Sequence, residues 1–151
     1  MKLNKLSELI RTKDEWVSSE GESDGNVFFL RFRPQLKPFE TSGLFKYRIC
    51  VCWRYQSEDN SLLPTEDEFN RMEEFENSIL NLLEEELLGV LAFVYTGLNK
   101  REWHFYVQSL DITEKIIDSE VDNINLSEKI TTYSLSEPLW DEYTLVLNSA
   151  N

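Results

Sequence analysis

"FKYRICVCWRY", residues Phe45 to Tyr55, is the stretch on which the fold turns. Phe45, Tyr47, Ile49, Val51, Trp53 and Tyr55 fall on one side of an extended chain, with Lys46, Arg48, Cys50, Cys52 and Arg54 on the other. Successive side chains of a strand point to opposite faces, so this alternation predicts a strand. Its apolar row has to be covered, whereas the row carrying the cations is expected to face water or a partner.

The expected cover comes next in the chain. In "LPTEDEFNRMEEFENSILNLLEEE", Thr65 is placed to cap a helix, Glu68 to complete a capping box, and the acids of the first turn suit the helix dipole. Phe69, Met72, Phe75, Ile79, Leu82 and Leu83 recur at spacings of three and four. That pattern predicts a helix of about 20 residues, roughly 30 Å long, with one apolar stripe. Glu84 to Glu86 sit at the end where the dipole disfavours acids.

Working outward, two further strands are expected at Leu88 to Tyr95 and Arg101 to Gln108, joined by "TGLNK" as a tight hairpin. In the second, Arg101, Trp103, Phe105 and Val107 share one face and Glu102, His104 and Tyr106 the other. Upstream, "EGESDGN" (Glu20 to Asn26) reads as a loop between a strand near Glu15 to Ser18 and another at Val27 to Arg33. "RPQLKPFETSG" holds two prolines and is not the interior of a central strand. A short lead-in, helical or irregular, covers Leu3 to Arg11. Downstream come a weaker helical pattern in "LDITEKIIDSEVDNINLSEK", a strand at Ile130 to Leu135, and a short helix opened by Pro138 through "LWDEYTLVL". The expected fold is α+β: an antiparallel β-sheet with the long amphipathic helix and shorter helices packed on one face, ferredoxin-like or related. One domain is expected over residues 1–151, with 1–13 as lead-in and 14–147 as core.

Composition narrows the function classes. A formal charge of −13 opposes sequence-independent binding to a phosphate backbone and attracts a basic protein partner. There is neither a signal-like apolar segment at the amino terminus nor an apolar run of the roughly 18 residues a bilayer requires, so no membrane role is expected. Cys50 and Cys52, two apart on a strand, have Cα atoms roughly 6.5 Å apart and side chains poorly directed for a disulfide. They read as reduced thiols in the cytoplasm. With a single histidine and no second cysteine pair, neither a metal nor another cofactor is expected.

Three motifs, taken in succession, resemble a known family. "LPTEDEF" at Leu63 to Phe69, "TGLNKREWHFY" at Thr96 to Tyr106 and "EPLWDEY" at Glu137 to Tyr143 have the order and approximate spacing of the bacterial family called domain of unknown function 695. The resemblance covers about Trp16 to Tyr143. It implies a domain often accompanied by a second one like regulator B of ribonuclease E, which is ferredoxin-like and works by binding; the chain is too short to include that second domain. One departure is Glu137, where an aspartate often precedes the proline. The family supplies no established catalytic residues to carry over.

"KREWHFY", Lys100 to Tyr106, contains the only histidine. Glu102 and His104 are same-face neighbours on a strand, the minimal geometry of a general acid/base pair. A catalytic unit would also need a nucleophile or metal and an oxyanion site. Cys50 or Cys52 qualifies as the nucleophile only if strand order sets it beside His104. Trp103, Tyr106, Trp53 and Tyr55 invite comparison with base-stacking sheets, but most fall on the side assigned to the core.

Charge is distributed unevenly. From Val27 to Tyr55 six basic residues (Arg31, Arg33, Lys37, Lys46, Arg48 and Arg54) face one acid, Glu40, a local balance of +5; from Ser57 to Leu88 eleven acids face Arg71, a balance of −10. A helix lying over the sheet would make a body with an acidic helical side and a basic sheet side, an arrangement that steers charged partners. The leading expectation is a non-enzymatic protein-binding domain: an inhibitor, immunity protein or regulator of a basic partner such as a nuclease or toxin. Glu66, Asp67, Asn70, Glu73, Glu74 and Asn77 on the outer helix face would make the contact. The alternatives are a single-stranded RNA or nucleotide binder using Arg31, Arg33, Lys46, Arg48 and Arg54, and a small hydrolase using His104 and Glu102.

Overall fold

The computed structural model describes residues 6–10 and 15–149. Residues 6–10 are helical (α1); the remainder of the expected lead-in lies outside the described residues. There follow β1 (Val17–Ser23), β2 (Asn26–Phe32), α2 (Lys37–Thr41), β3 (Tyr47–Arg54), α3 (Glu66–Glu84), β4 (Gly89–Gly97), β5 (Lys100–Val107), α4 (Leu110–Asn123), β6 (Ile130–Ser136) and α5 (Asp141–Ser149). The strands make one six-stranded sheet in the order β1-β2-β4-β5-β3-β6, with every pairing antiparallel.

From β3 to β6 the connectivity is βαββαβ. Helix α3 carries the chain from β3 over β5 to β4, and α4 carries it from β5 over β3 to β6. This is the ferredoxin-like arrangement of two interleaved split βαβ units. The β1–β2 hairpin widens it at the β4 edge.

One core lies between the sheet and helices α3 and α4. Ile49, Val51, Trp53 and Tyr55 of the β3 segment meet Trp103, Phe105 and Val107 of β5 beneath Met72, Phe75, Ile79 and Leu83 of α3. Trp53, Phe75 and Trp103 form a ring cluster with centroids 5.3–6.1 Å apart. Each such ring contributes about 2–3 kcal/mol over exposure. Phe69 and Leu82, expected in the stripe, are instead 39% and 44% exposed. Glu76 is buried in their place. Thr65 caps α3 by accepting from the Glu68 amide at 3.2 Å, but Glu68 does not return the bond. Its carboxylate accepts from Trp53 Nε1 instead, at 3.0 Å, tying helix to sheet.

The reverse face is where expectation and structure part. It is not open: a second core of Phe32, Phe39, Phe45, Val90, Phe93, Tyr106, Trp140 and Tyr143 fills it, with Leu6 of α1 and Val146 of α5. The shorter helices therefore divide between the two faces, α4 on one side and α1, α2 and α5 on the other. Trp140 drives this: it stacks on Tyr106 at 3.9 Å, meets Tyr143 edge-on, and donates from Nε1 to the Phe45 carbonyl at 2.9 Å. A bulge between Leu91 and Phe93 lets β4 serve both cores, turning Ala92 and Phe93 to the reverse face while Leu91 and Val94 keep to the first.

Two turns set the hairpins. Strand β1 runs through the segment read as a loop, leaving Asp24 and Gly25, both at positive φ, as the whole connection. In "TGLNK" the central pair is Leu98 and Asn99, at φ 52° and 64°, the left-handed geometry that matches strand twist. Pro138 lies in a turn ahead of α5, which begins at Asp141.

Candidate functional site

Strands β3 and β5 are neighbours, and their register sets Cys50 against His104, Cys52 against Glu102 and Arg48 against Tyr106. A thiol thus does stand beside the histidine. His104 Nε2 is 3.7 Å from Cys50 Sγ and 3.1 Å from Glu102 Oε1, and its Nδ1 is 2.7 Å from Arg48 Nη1. In outline this is a nucleophile, a ring and a carboxylate.

The protons decide what it can do. Arginine only donates, so Nδ1 must accept, and the neutral ring carries its hydrogen on Nε2. That hydrogen points to Glu102 and Cys50. One nitrogen is engaged by Arg48 and the other is already protonated, so no lone pair remains to take a proton from the thiol. Burial lowers the His104 pKa, outweighing the pull of Glu102. The hydrogen bond from His104 holds the Glu102 carboxyl at about 2 against its partial burial. Burial, then the charge of Glu102, push the Cys50 thiol up to about 12. A catalytic thiol needs the opposite shift.

Cys50, Glu102 and His104 also offer three donor atoms within 4.8 Å of one another, the ligand types zinc accepts. A cation there would take the Nε2 lone pair and move the ring proton to Nδ1. That would set two donors, Nδ1–H and Arg48 Nη1, against each other at hydrogen-bond distance. The hydrogen bonding around the cluster therefore favours the metal-free ring.

What the cluster does do is join elements. Arg48 Nε donates to Glu137 Oε1 at 3.1 Å and Nη1 to the Tyr133 hydroxyl at 3.3 Å. Glu137 also accepts from the Tyr106 hydroxyl and the Glu142 amide. His104 stacks on Phe93 with centroids 4.2 Å apart. β3, β5, β6 and the turn into α5 are thereby locked by charged and aromatic contacts, with Glu137 at the hub. The glutamate–proline step of "EPLWDEY" was visible in the sequence, but a single carboxylate gives no sign there that it is buried.

With the fold and this cluster described, comparison with known proteins has a place. The model of a Family of unknown function (DUF695) matches residues 14–147. The chain belongs to that family. No curated protein and no solved structure matches it.

In this DUF695 chain the docking residues named from the sequence are all accessible: Glu66, Asp67, Asn70, Glu73, Glu74 and Asn77 are exposed along α3. Helix α4 lies on the same face and packs beside α3. Together the two helices contain twelve acids against Arg71 and Lys115. The contribution of α4 went unread because its place next to α3 depends on strand order.

The cations are distributed differently from the expectation. Register pairs Arg31 with Val94, which puts Arg31 on the helix side of the sheet. It reaches Glu76 of α3 at 2.5 Å and lies over the Trp16 ring at 4.3 Å. Arg33 is buried and pairs with Glu84 of α3 at 2.6 Å. Arg48 is buried against Glu137. Lys46 and Arg54 stay exposed. Three of the five cations expected on a basic face are thus committed to carboxylates, two of them on the helix they were expected to oppose. The reason is physical: two acids counted toward the acidic helical side, Glu76 and Glu84, lie where α3 meets the sheet, and each pairs with a sheet arginine. Glu84 also accepts from the Leu91 amide, steadying the bulge.

No helix among the described residues is long and apolar enough to cross a membrane.

Proposed function

We propose that the domain acts by binding and not by chemistry, with the outer surface of α3 and α4 docking a basic protein. An inhibitor, immunity protein or regulator of a bacterial nuclease or toxin works in this way. The observation that carries the reading is the accessibility of Glu66, Asp67, Glu73 and Glu74 on a face where, with Glu76 and Glu84 set aside as partners of sheet arginines, ten acids of α3 and α4 meet two bases. Internal pairing withdraws Arg31, Arg33 and Arg48 from the exterior together with Glu76, Glu84 and Glu137, and the exposed acids of α3 and α4 are not compensated by these cations. Steering then comes from one acidic face, not from a two-ended dipole. The buried, unbridged Cys50 and Cys52 fit a reducing compartment such as the cytoplasm.

The test uses the protein's own neighbours. Cationic proteins encoded beside the gene are purified and titrated against the domain at low and moderate salt. A partner whose affinity falls at least tenfold for Glu66→Lys with Glu73→Lys and Glu74→Lys, and also falls with salt, supports the reading. A partner indifferent to these reversals, or catalytic turnover lost on His104→Ala, overturns it.

A further inference from the structure

A βαββαβ core lays its two helices over four strands, but this sheet has six. Beyond the edge of α3, over β2, β4 and β5, a cavity of about 470 Å³ opens on the helix side of the sheet. Phe29, Leu63, Phe69 and Val94 supply apolar lining. Two of these, Phe29 and Phe69, are 40% and 39% exposed, unusually open for rings of that size.

Arg31 and Arg101 also line the cavity. Arg101 is 4% exposed, lies over the rings of Phe69 and Trp103 at 5.1 and 5.4 Å, and has a buried Nε with no hydrogen-bond partner. Among the described residues its one acceptor is Glu76 Oε1, reached from Nη2 at 3.4 Å. That same oxygen already accepts from Arg31 at 2.5 Å and Trp103 Nε1 at 2.9 Å. Two guanidinium groups thus share one carboxylate. The acid that lines the cavity itself, Glu66, is exposed in the first turn of α3. A buried arginine with donors unspent is costly unless something supplies acceptors.

We propose that this cavity is a binding site for a small amphipathic carboxylate, with the apolar part between Phe29 and Phe69 and the carboxylate on Arg31 and Arg101. The site adjoins the acidic docking surface at Glu66 but is otherwise built from different residues, and either can fail without the other. Size agrees: cavities of about 300–1,000 Å³ hold small ligands. Chemistry agrees as well, since a planar carboxylate matches the two-pronged donor geometry of a guanidinium and can take up N–H groups that Glu76 cannot reach. A phosphate, being larger in charge and more strongly hydrated, fits an apolar cavity whose two arginines already share Glu76 less well.

Octanoate is the probe, with octanol and octylamine as controls, titrated into the full chain by calorimetry and by the fluorescence of the tryptophans, one of which, Trp103, adjoins Arg101. Saturable octanoate binding is expected, at least tenfold tighter than octanol and with none for octylamine. Arg101→Gln and, should that variant fold poorly, the half-exposed Arg31→Gln should each weaken octanoate at least fivefold and leave octanol unchanged. Equal affinity for acid and alcohol, no saturation by octanoate, or octanoate binding unaffected in Arg31→Gln would overturn the proposal.

Discussion

Replacing Glu76 by leucine probes the interaction on which the helix–sheet contact rests. One oxygen of Glu76 accepts from Arg31, Arg101 and Trp103. Removing it leaves Arg101, 4% exposed, with no carboxylate, and an unpaired buried charge costs about 3–5 kcal/mol. Arg31 adds little, because its side chain is 29% exposed and can rehydrate; exposed pairs contribute about 0–1 kcal/mol. The lost Trp103 bond belongs to the same network and is not summed separately. A loss of about 3–5 kcal/mol is a large part of the roughly 5–15 kcal/mol that holds a domain together. In urea, with a slope of about 2 kcal/mol/M, the unfolding midpoint should fall by about 2 M. Adding Arg101→Met should recover much of the loss, since a buried pair exchanged for apolar groups is often neutral or stabilising by about 1–4 kcal/mol. The assay is urea unfolding followed by tryptophan fluorescence for the parent, both single variants and the double. A Glu76→Leu variant within about 1 kcal/mol of the parent, or a double variant no more stable than the single, would refute the assignment of a buried ion pair.

Two shorter expectations concern the reverse face. The lowered His104 pKa means that the unfolded chain binds more protons below its own value of about 6.5, so stability should begin to fall as pH drops through that point. Glu102, held at about 2, contributes stability that is present above the unfolded value and lost as pH falls toward 2; after screening of a half-buried group this is on the order of 1–2 kcal/mol. Urea midpoints at a series of pH values should show the first decline vanish in His104→Gln, which keeps a donor and an acceptor without titrating; an unchanged decline contradicts the neutral-ring assignment. The raised Cys50 pKa of about 12 makes the native thiolate fraction at pH 8 roughly a thousandfold smaller than in an ordinary thiol. Ellman's reagent should therefore label Cys50 and Cys52 only as fast as the protein opens, and prompt labelling of Cys50 under native conditions would count against that environment.

Much of the first core was legible. The period-two row from Tyr47 to Tyr55 and the three-and-four spacing after Thr65 fix a strand and a helix from local geometry alone, although Phe45, read as part of that row, lies outside β3 and packs in the second core; the hairpin after Gly97 was signalled by its glycine and asparagine. Two clues to the buried ion pair were also present. Glu76 lies four residues after Met72 and three before Ile79, inside the apolar stripe, and Arg101 shares its strand face with Trp103 and Phe105. A carboxylate in one core-facing row and a guanidinium in the other call for each other. What no local pattern states is whether they meet, because that depends on α3 crossing β5, a matter of strand order.

The second core was illegible for a different reason. Arg48, Cys50, Cys52 and His104 form polar rows, and polar rows ordinarily face water. Here they are buried because their partners come from elsewhere in the fold: Arg48 is satisfied by Glu137, His104 by Arg48 as well as by its strand neighbour Glu102, and the aromatic cover is Trp140 and Tyr143; apart from Glu102, these arrive from about thirty or more positions away. Covering this face has a functional consequence. A βαββαβ sheet with a bare face can present its strands to a ligand, whereas in this chain that surface is filled by side chains of α1, α2 and α5. Recognition is therefore proposed on the helical side, where acids of α3 and α4 meet solvent and where the widened sheet leaves Arg31 and Arg101 under an apolar hollow.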